Sequence, residues 1–119
     1  MARKALTIFL TAAPYAGESV STAMRLARAV LEAGHRVNLF AAADGVYAFT
    51  TGHRAKGVPH AEAGFRVLLE QGQHVALCGS CLATRGIKRE QLLPGAEPSS
   101  MEGLFRLIRA SDILITLGS

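Results

Sequence analysis

The chain has 119 residues, half of them hydrophobic, and a formal net charge of +4. This length predicts one domain spanning residues 1–119 that can hold its own core. The basic residues are scattered, so we expect no direct binding of nucleic acid. We expect no secretory signal, and no apolar run reaches membrane-spanning length. A disulfide between two cysteines three residues apart would stabilise the fold little, so we expect free thiols and a cytoplasmic protein.

The first third of the chain predicts a strand, a helix and a second strand. Residues 5–12 are apolar on both faces, as in a buried parallel strand. Ser19 is the predicted N-cap of a helix that runs to about Ala33. Val37 to Ala42 is the second predicted strand. The loop after the first strand contains a single glycine, Gly17, so we expect no dinucleotide cofactor there.

The segment of residues 45–60 shows no clear period and is predicted to be irregular. It carries Tyr47 and Phe49, which a small domain can hardly bury within a loop. Long irregular loops are usually functional, interfacial or mobile. The segment is therefore a predicted interface, whereas His53 and His60 are more typical of surface histidines than of acid–base groups.

The rest of the chain predicts two long helices, two strands and short connections. A helix is expected over Ala61–Gln71, followed by a strand that ends at Cys78. Residues 87–93 favour a short helical turn, and Ser99 or Ser100 is expected to cap the last helix. The predicted inward face of that helix consists of Met101, Leu104, Phe105 and Ile108. A final strand covers Ile113–Leu117. This alternation predicts a parallel sheet covered by helices on both faces.

Cys78 stands where the third strand meets a helix, which Gly86 ends. A thiol at the amino end of a helix faces free N–H groups, and these favour the thiolate. Three interpretations remain: two buried structural thiols, a metal site and a reactive thiol. A metal is not expected, because zinc needs three or four protein ligands and His74 lies about 13 Å from Cys78 along a strand. Cys81 also allows thiol–disulfide chemistry.

Several segments of the chain resemble the DsrE/DsrF-like sulfur-relay family, which includes TusD-type subunits. The matching segments are 13–17, 33–35, 44–47 and the stretch from Cys78 to Arg85-Gly86. The resemblance implies a flavodoxin-like three-layer α/β domain and places the persulfide-carrying cysteine of the family on Cys78. Cys81 departs from the TusD-type pattern, although other small members carry a second cysteine there.

The predicted function is therefore sulfur transfer, in which Cys78 accepts and passes on a persulfide sulfur. No cofactor is implied. The partners implied are persulfide-donor and sulfur-acceptor proteins, together with further copies of the chain in a trimer or hexamer. The alternatives are a dithiol–disulfide oxidoreductase that uses Cys78 and Cys81, and a non-catalytic oligomeric binding module.

The site is expected at the carboxyl ends of the strands, where ligands bind in parallel sheets. Cys78 and Cys81 are the predicted catalytic residues. The residues expected to support the thiol or to bind its substrates are Pro14, Tyr15, Gly17, Tyr47, Gly79, Ser80 and Arg85.

Overall fold

The computed structural model describes residues 2–118 and contains a five-stranded parallel sheet flanked by helices. The strands are β1 (Ala5–Leu10), β2 (Arg36–Ala41), β3 (His74–Cys78), β4 (Ala96–Ser99) and β5 (Ile113–Leu117). The α-helices are α1 (Ser19–Glu32), α2 (Ala61–Glu70), α3 (Gly79–Thr84) and α4 (Met101–Arg109), and 3-10 helices cover Ala43–Phe49 and Arg89–Gln91. This alternation confirms the predicted α/β class and the parallel sheet.

The strand order is β4-β3-β2-β1-β5, so β1 lies inside the sheet between β2 and β5. Leu6 is level with Val37 on one side and with Ile113 on the other. Residues of β1 are buried on both faces because helices cover both sides of a parallel sheet. The carboxyl ends of the strands therefore meet along one rim.

The two faces of the sheet carry different helices. Leu6, Ile8 and Leu10 belong to the larger core, which α1 and α2 complete with Ala23 and Phe65. The smaller core lies on the other face, beneath α4. No helix within residues 2–118 has both the length and the apolar content needed to cross a membrane.

The helix starts differ slightly from the prediction. Ser19 does not cap α1: Glu18 holds the N-cap position and Ser19 is the first helical residue. The Ser19 hydroxyl instead donates to the carbonyl of Gly118 at 2.6 Å, which ties α1 to the end of β5. The prediction for α4 is confirmed, because Ser100 Oγ accepts the N–H of Gly103.

The prediction of an irregular, exposed segment is wrong for its first part. Residues 43–49 form a 3-10 helix, and Phe49 is fully buried with its ring centroid 4.5 Å from that of Phe65. The N–H of Leu93 donates to the Phe49 carbonyl at 2.8 Å and holds this turn against the following loop. Phe49 is thus a core residue, whereas Tyr47 stays 37% exposed.

The predicted inward face of α4 is wrong for two of its four residues. Leu104 is buried and Ile108 packs partly against the smaller core. Met101 and Phe105 are 59% and 61% exposed. One flank of the apolar stripe therefore packs on the smaller core, whereas the flank that carries Met101 and Phe105 is largely exposed.

Candidate thiol site

Cys78 is the last residue of β3 and also the N-cap of α3. Its Sγ accepts the N–H of Cys81 at 3.3 Å and lies 3.3 Å from the Ser80 hydroxyl. The residue is 6% exposed and belongs to the core cluster beneath α4, together with Leu104. The position of Cys78 at the junction of β3 and α3 is the one predicted from the sequence. Its thiol is more buried than the small neighbours Gly79 and Ser80 suggested.

Cys81 lies one turn into α3, with its side chain between the two cores. Its Sγ accepts the N–H of Ala43 at 3.2 Å, from the start of the 3-10 helix. It is half-buried and packs against both hydrophobic clusters. Both cysteines are free thiols. The same turn of α3 thus presents one thiol to hydrogen-bond donors and holds the other against the core.

The surroundings shift the pKa values of the two thiols in opposite directions. Burial opposes the ionisation of Cys78, but hydrogen bonds from the Cys81 thiol, the Ser80 hydroxyl and the backbone outweigh it, so its pKa lies below 9.0. Burial and the neighbouring Cys78 raise the pKa of Cys81 above 9.0, against the opposing effects of the Ala43 N–H and Arg85. Cys78 is therefore the thiol that ionises first.

This difference predicts the order in which a small alkylating reagent reacts with the two thiols. Because the thiolate is the reactive form, the rate for Cys78 should level off below pH 9 and the rate for Cys81 should still rise above it. Mass spectrometry of Cys78→Ser and Cys81→Ser gives each rate separately, and serine keeps a hydroxyl donor at each position. A faster Cys81, or an inflection for Cys78 above pH 9, would show that the nucleophile is misassigned.

Arg85 links α3 to the 3-10 helix that follows β2. Its Nε lies 3.0 Å from the Asp44 carboxylate, and one terminal nitrogen donates to the Cys81 carbonyl at 3.2 Å. The Arg85 side chain is 23% exposed, so this ion pair is only partly screened by solvent. Arg85 therefore fixes the position of the helix that carries the thiols.

A second polar cluster forms around Tyr15, which has a left-handed backbone with φ of 71°. Its hydroxyl lies 2.6 Å from His53 Nδ1 and accepts the N–H of Ala61 at 3.1 Å. The other ring nitrogen of His53 lies 3.0 Å from the Tyr47 carbonyl. The Thr50 hydroxyl also lies 3.0 Å from this second ring nitrogen. His53 is thus half-buried in a hydrogen-bond network that sequence reasoning did not predict.

Gly17 and Tyr15 line a cavity of about 280 Å³ between the start of α1 and the loop before α2. Pro14 is half-buried in the same turn. Neither thiol lines this cavity. The first loop therefore lies outside the thiol site. Residues 43–49 lie between the two, since they contact His53 at one end and Cys81 and Arg85 at the other.

The structure brings five of the predicted site residues together: Cys78, Gly79, Ser80, Cys81 and Arg85. Sequence reasoning missed Ala43 and Asp44 as their partners, and it missed His53 as the partner of Tyr15. Asp44 had a signal, since it follows the carboxyl end of β2, next to the strand that carries Cys78. Within residues 2–118, no three His, Cys, Asp or Glu side chains gather to hold a metal ion.

Comparison with known proteins shows relatives along nearly the whole chain. The Methanocaldococcus jannaschii protein MJ0989 is 34% identical over 110 residues, which cover 92% of this chain and 96% of the relative. The Methanopyrus kandleri protein MK0008 is 33% identical over 110 residues, covering 92% and 91%.

A solved structure has the same fold. The crystal structure of Escherichia coli YchN superposes with a TM-score of 0.89 at 27% identity and covers 98% of this chain and all of YchN. The model of the DsrE/DsrF-like family matches residues 4–117. The chain therefore belongs to the DsrE/DsrF-like family.

Proposed function

We propose that this protein is a sulfur carrier in which Cys78 accepts and passes on the sulfur of a persulfide. The observation that carries the proposal is the set of hydrogen bonds to Cys78 Sγ from Ser80 and Cys81. These donors stabilise a thiolate at the end of β3. Family membership supports a role in sulfur relay.

The first transfer is a displacement at sulfur. The Cys78 thiolate attacks the outer sulfur of a donor persulfide, a new S–S bond forms, and the donor leaves as a thiolate. The second transfer repeats this exchange: an acceptor thiolate takes the outer sulfur and Cys78 returns to thiolate. Each step breaks one S–S bond and forms one, so neither step needs an external oxidant or reductant.

Ser80 is the route by which a donor reaches the buried thiol in this proposal. It is exposed, and its hydroxyl contacts Cys78 Sγ at 3.3 Å. Gly79 beside it has no side chain to obstruct a donor. Arg85 supports the site from the other end of α3 through Asp44. Tyr15, Gly17 and Tyr47 form the adjoining surface that a partner protein contacts.

Mass spectrometry tests the proposal. The reduced protein, incubated with a small persulfide such as cysteine persulfide, should gain one sulfur atom on Cys78. Cys81→Ser should gain the same mass, whereas Cys78→Ser should gain less than a tenth as much. Transfer of the labelled sulfur to a fresh thiol completes the test. A thiol pair that gains no sulfur would instead indicate a binding module with inert thiols.

A dithiol oxidoreductase is the second candidate, because the Cys81 N–H donates to Cys78 Sγ and both cysteines belong to the first turn of α3. Cys81 would attack the inner sulfur of the Cys78 persulfide, form a disulfide and release hydrogen sulfide. We favour the carrier, since the Ala43 N–H and both cores fix the Cys81 side chain, and the raised pKa of Cys81 makes it the less ionised of the two thiols. A persulfide that survives at least tenfold longer in Cys81→Ser than in the natural protein would favour the oxidoreductase.

We further propose that the protein acts as a homo-oligomer, a trimer or hexamer, in the reducing cytoplasm. Phe49 no longer supports this, because it is buried within the chain. Support comes instead from the large apolar side chains that remain exposed, Met101 and Phe105 above all. Light scattering at micromolar concentration measures the mass directly, and a monomer would contradict the proposal.

A further inference from the structure

The two faces of the sheet are covered unequally. One face carries α1, α2 and α3, which complete the larger core. Within residues 2–118, α4 is the only helix on the other face, and its nine residues are about 14 Å long. Parallel sheets are normally buried on both faces. Part of this face therefore lacks the cover that such a sheet requires.

The position of α4 shows which part is bare. Leu104 and Leu107 pack on Phe40 and Ala76, over β2 and β3. One flank of the helix faces β4, where Arg106 helps to line a cleft with residues of β3 and β4. The opposite flank, which carries Met101 and Phe105, therefore faces the half of the sheet formed by β1 and β5.

Strand β5 continues this apolar surface. Ile115 and Leu117 pack into the larger core, so Leu114 points to the face that bears α4. Leu114 is 44% exposed on this edge strand. We call Met101, Phe105, Ile108 and Leu114 the α4 surface.

We propose that the α4 surface binds the same surface of a second copy of this chain, with the two α4 helices antiparallel across a two-fold axis. The charges of α4 identify this occupant. Glu102 lies in the first turn and Arg109 in the last, seven residues apart and so on one side of the helix. An antiparallel copy places each Glu102 opposite the Arg109 of its partner.

The charges of this helix are complementary to a reversed copy of the helix itself. Glu102 pairs with Arg106 at 3.2 Å within one chain, but both side chains are at least 70% exposed, so this pair is weak and easily exchanged. Arg109 has no ion pair within residues 2–118. In a two-fold contact each favourable pair occurs twice, because the same patch meets itself.

This inference specifies the interface of the proposed homo-oligomer and does not depend on sulfur chemistry. A two-fold contact joins two equal units and is absent from a cyclic trimer, so the inference selects the hexamer, and breaking the contact should halve its mass to that of a trimer. Leu104 of α4 also lies in the cluster that holds Cys78. The interface would therefore cover the outside of the helix that encloses the thiol.

The first experiment places a charge in the α4 surface. Phe105→Asp should halve the mass measured by light scattering at about 10 μM. Val67→Asp is the matched control, since Val67 is a 49% exposed side chain on α2, on the other face, and it should leave the mass unchanged. Far-ultraviolet circular dichroism and thermal unfolding verify that both variants are folded. An unchanged mass for folded Phe105→Asp, or an equal loss in Val67→Asp, would overturn the inference.

Charge reversal tests the antiparallel arrangement itself. Glu102→Arg and Arg109→Glu should each weaken self-association about tenfold, because each places like charges opposite one another twice. The double variant should restore the natural dissociation constant to within about threefold. A double variant as weak as the single ones would overturn the antiparallel pairing. Sulfur capture by Cys78, measured on the same proteins, reports separately on the proposed function.

Discussion

Replacement of Phe49 by alanine should lower the free energy of unfolding by about 3–5 kcal/mol. The side chain is fully buried, and its ring centroid lies 4.5 Å from that of Phe65. Alanine would leave a cavity where the 3-10 helix meets α2, and the close-packed surroundings can fill it only in part. The loss should appear as a lower midpoint in urea with an unchanged slope.

The neighbouring residue Tyr47 provides the control for this measurement. Tyr47→Ala removes a larger side chain from the same 3-10 helix, but the residue is 37% exposed, so we expect a loss of about 1 kcal/mol or less. Both variants should be compared at one protein concentration, because self-association stabilises the folded state. Equal losses in the two variants would contradict the assignment of Phe49 to the core.

The substitution Gly45→Ala should cost about 3 kcal/mol for the opposite reason, a lack of space. A methyl group there would lie 2.4 Å from the carbonyl oxygen of Leu10. That atom belongs to the backbone of β1 and cannot move aside alone. Residues 43–49 would have to shift, carrying Asp44 away from Arg85.

Gly17→Ala is the matched control, because nothing lies within 4 Å of a methyl group at that position. We expect its stability to change by no more than about 0.5 kcal/mol. Chemical denaturation compares the two variants, and alkylation of Cys78 reports whether the displaced turn alters the thiol. Natural stability in Gly45→Ala would mean that the 3-10 helix has room to move away from β1.

The parts of the fold that sequence reasoning predicted are those whose signals are local. The spacing of Val20, Ala23, Met24 and Ala27 follows the helical period, and these residues are the buried side of α1. The place of Cys78 at the junction of strand and helix follows from the apolar run before it and the small residues after it. Such signals lie within a few residues of the feature that they predict.

The features that sequence reasoning missed depend on distant partners. The hydrogen bond between Tyr15 and His53 joins residues 38 positions apart, and nothing near either residue indicates it. The burial of Phe49 depends on Phe65, across the loop that precedes α2. The helical pattern placed Met101 and Phe105 on the apolar stripe of α4, but a pattern cannot tell how much of that stripe the sheet covers, and both side chains are exposed.

The position of β1 between β2 and β5 has a consequence for the synthesis of the protein. Leu6 pairs with Ile113, which the ribosome adds 107 residues later. At about 5–20 residues per second, one edge of β1 stays without its neighbour for roughly 5–20 s. The sequence ALTIFL has high β-propensity, no charge and no proline, the features of a segment prone to aggregate. The nascent chain therefore exposes an aggregation-prone strand edge until β5 emerges.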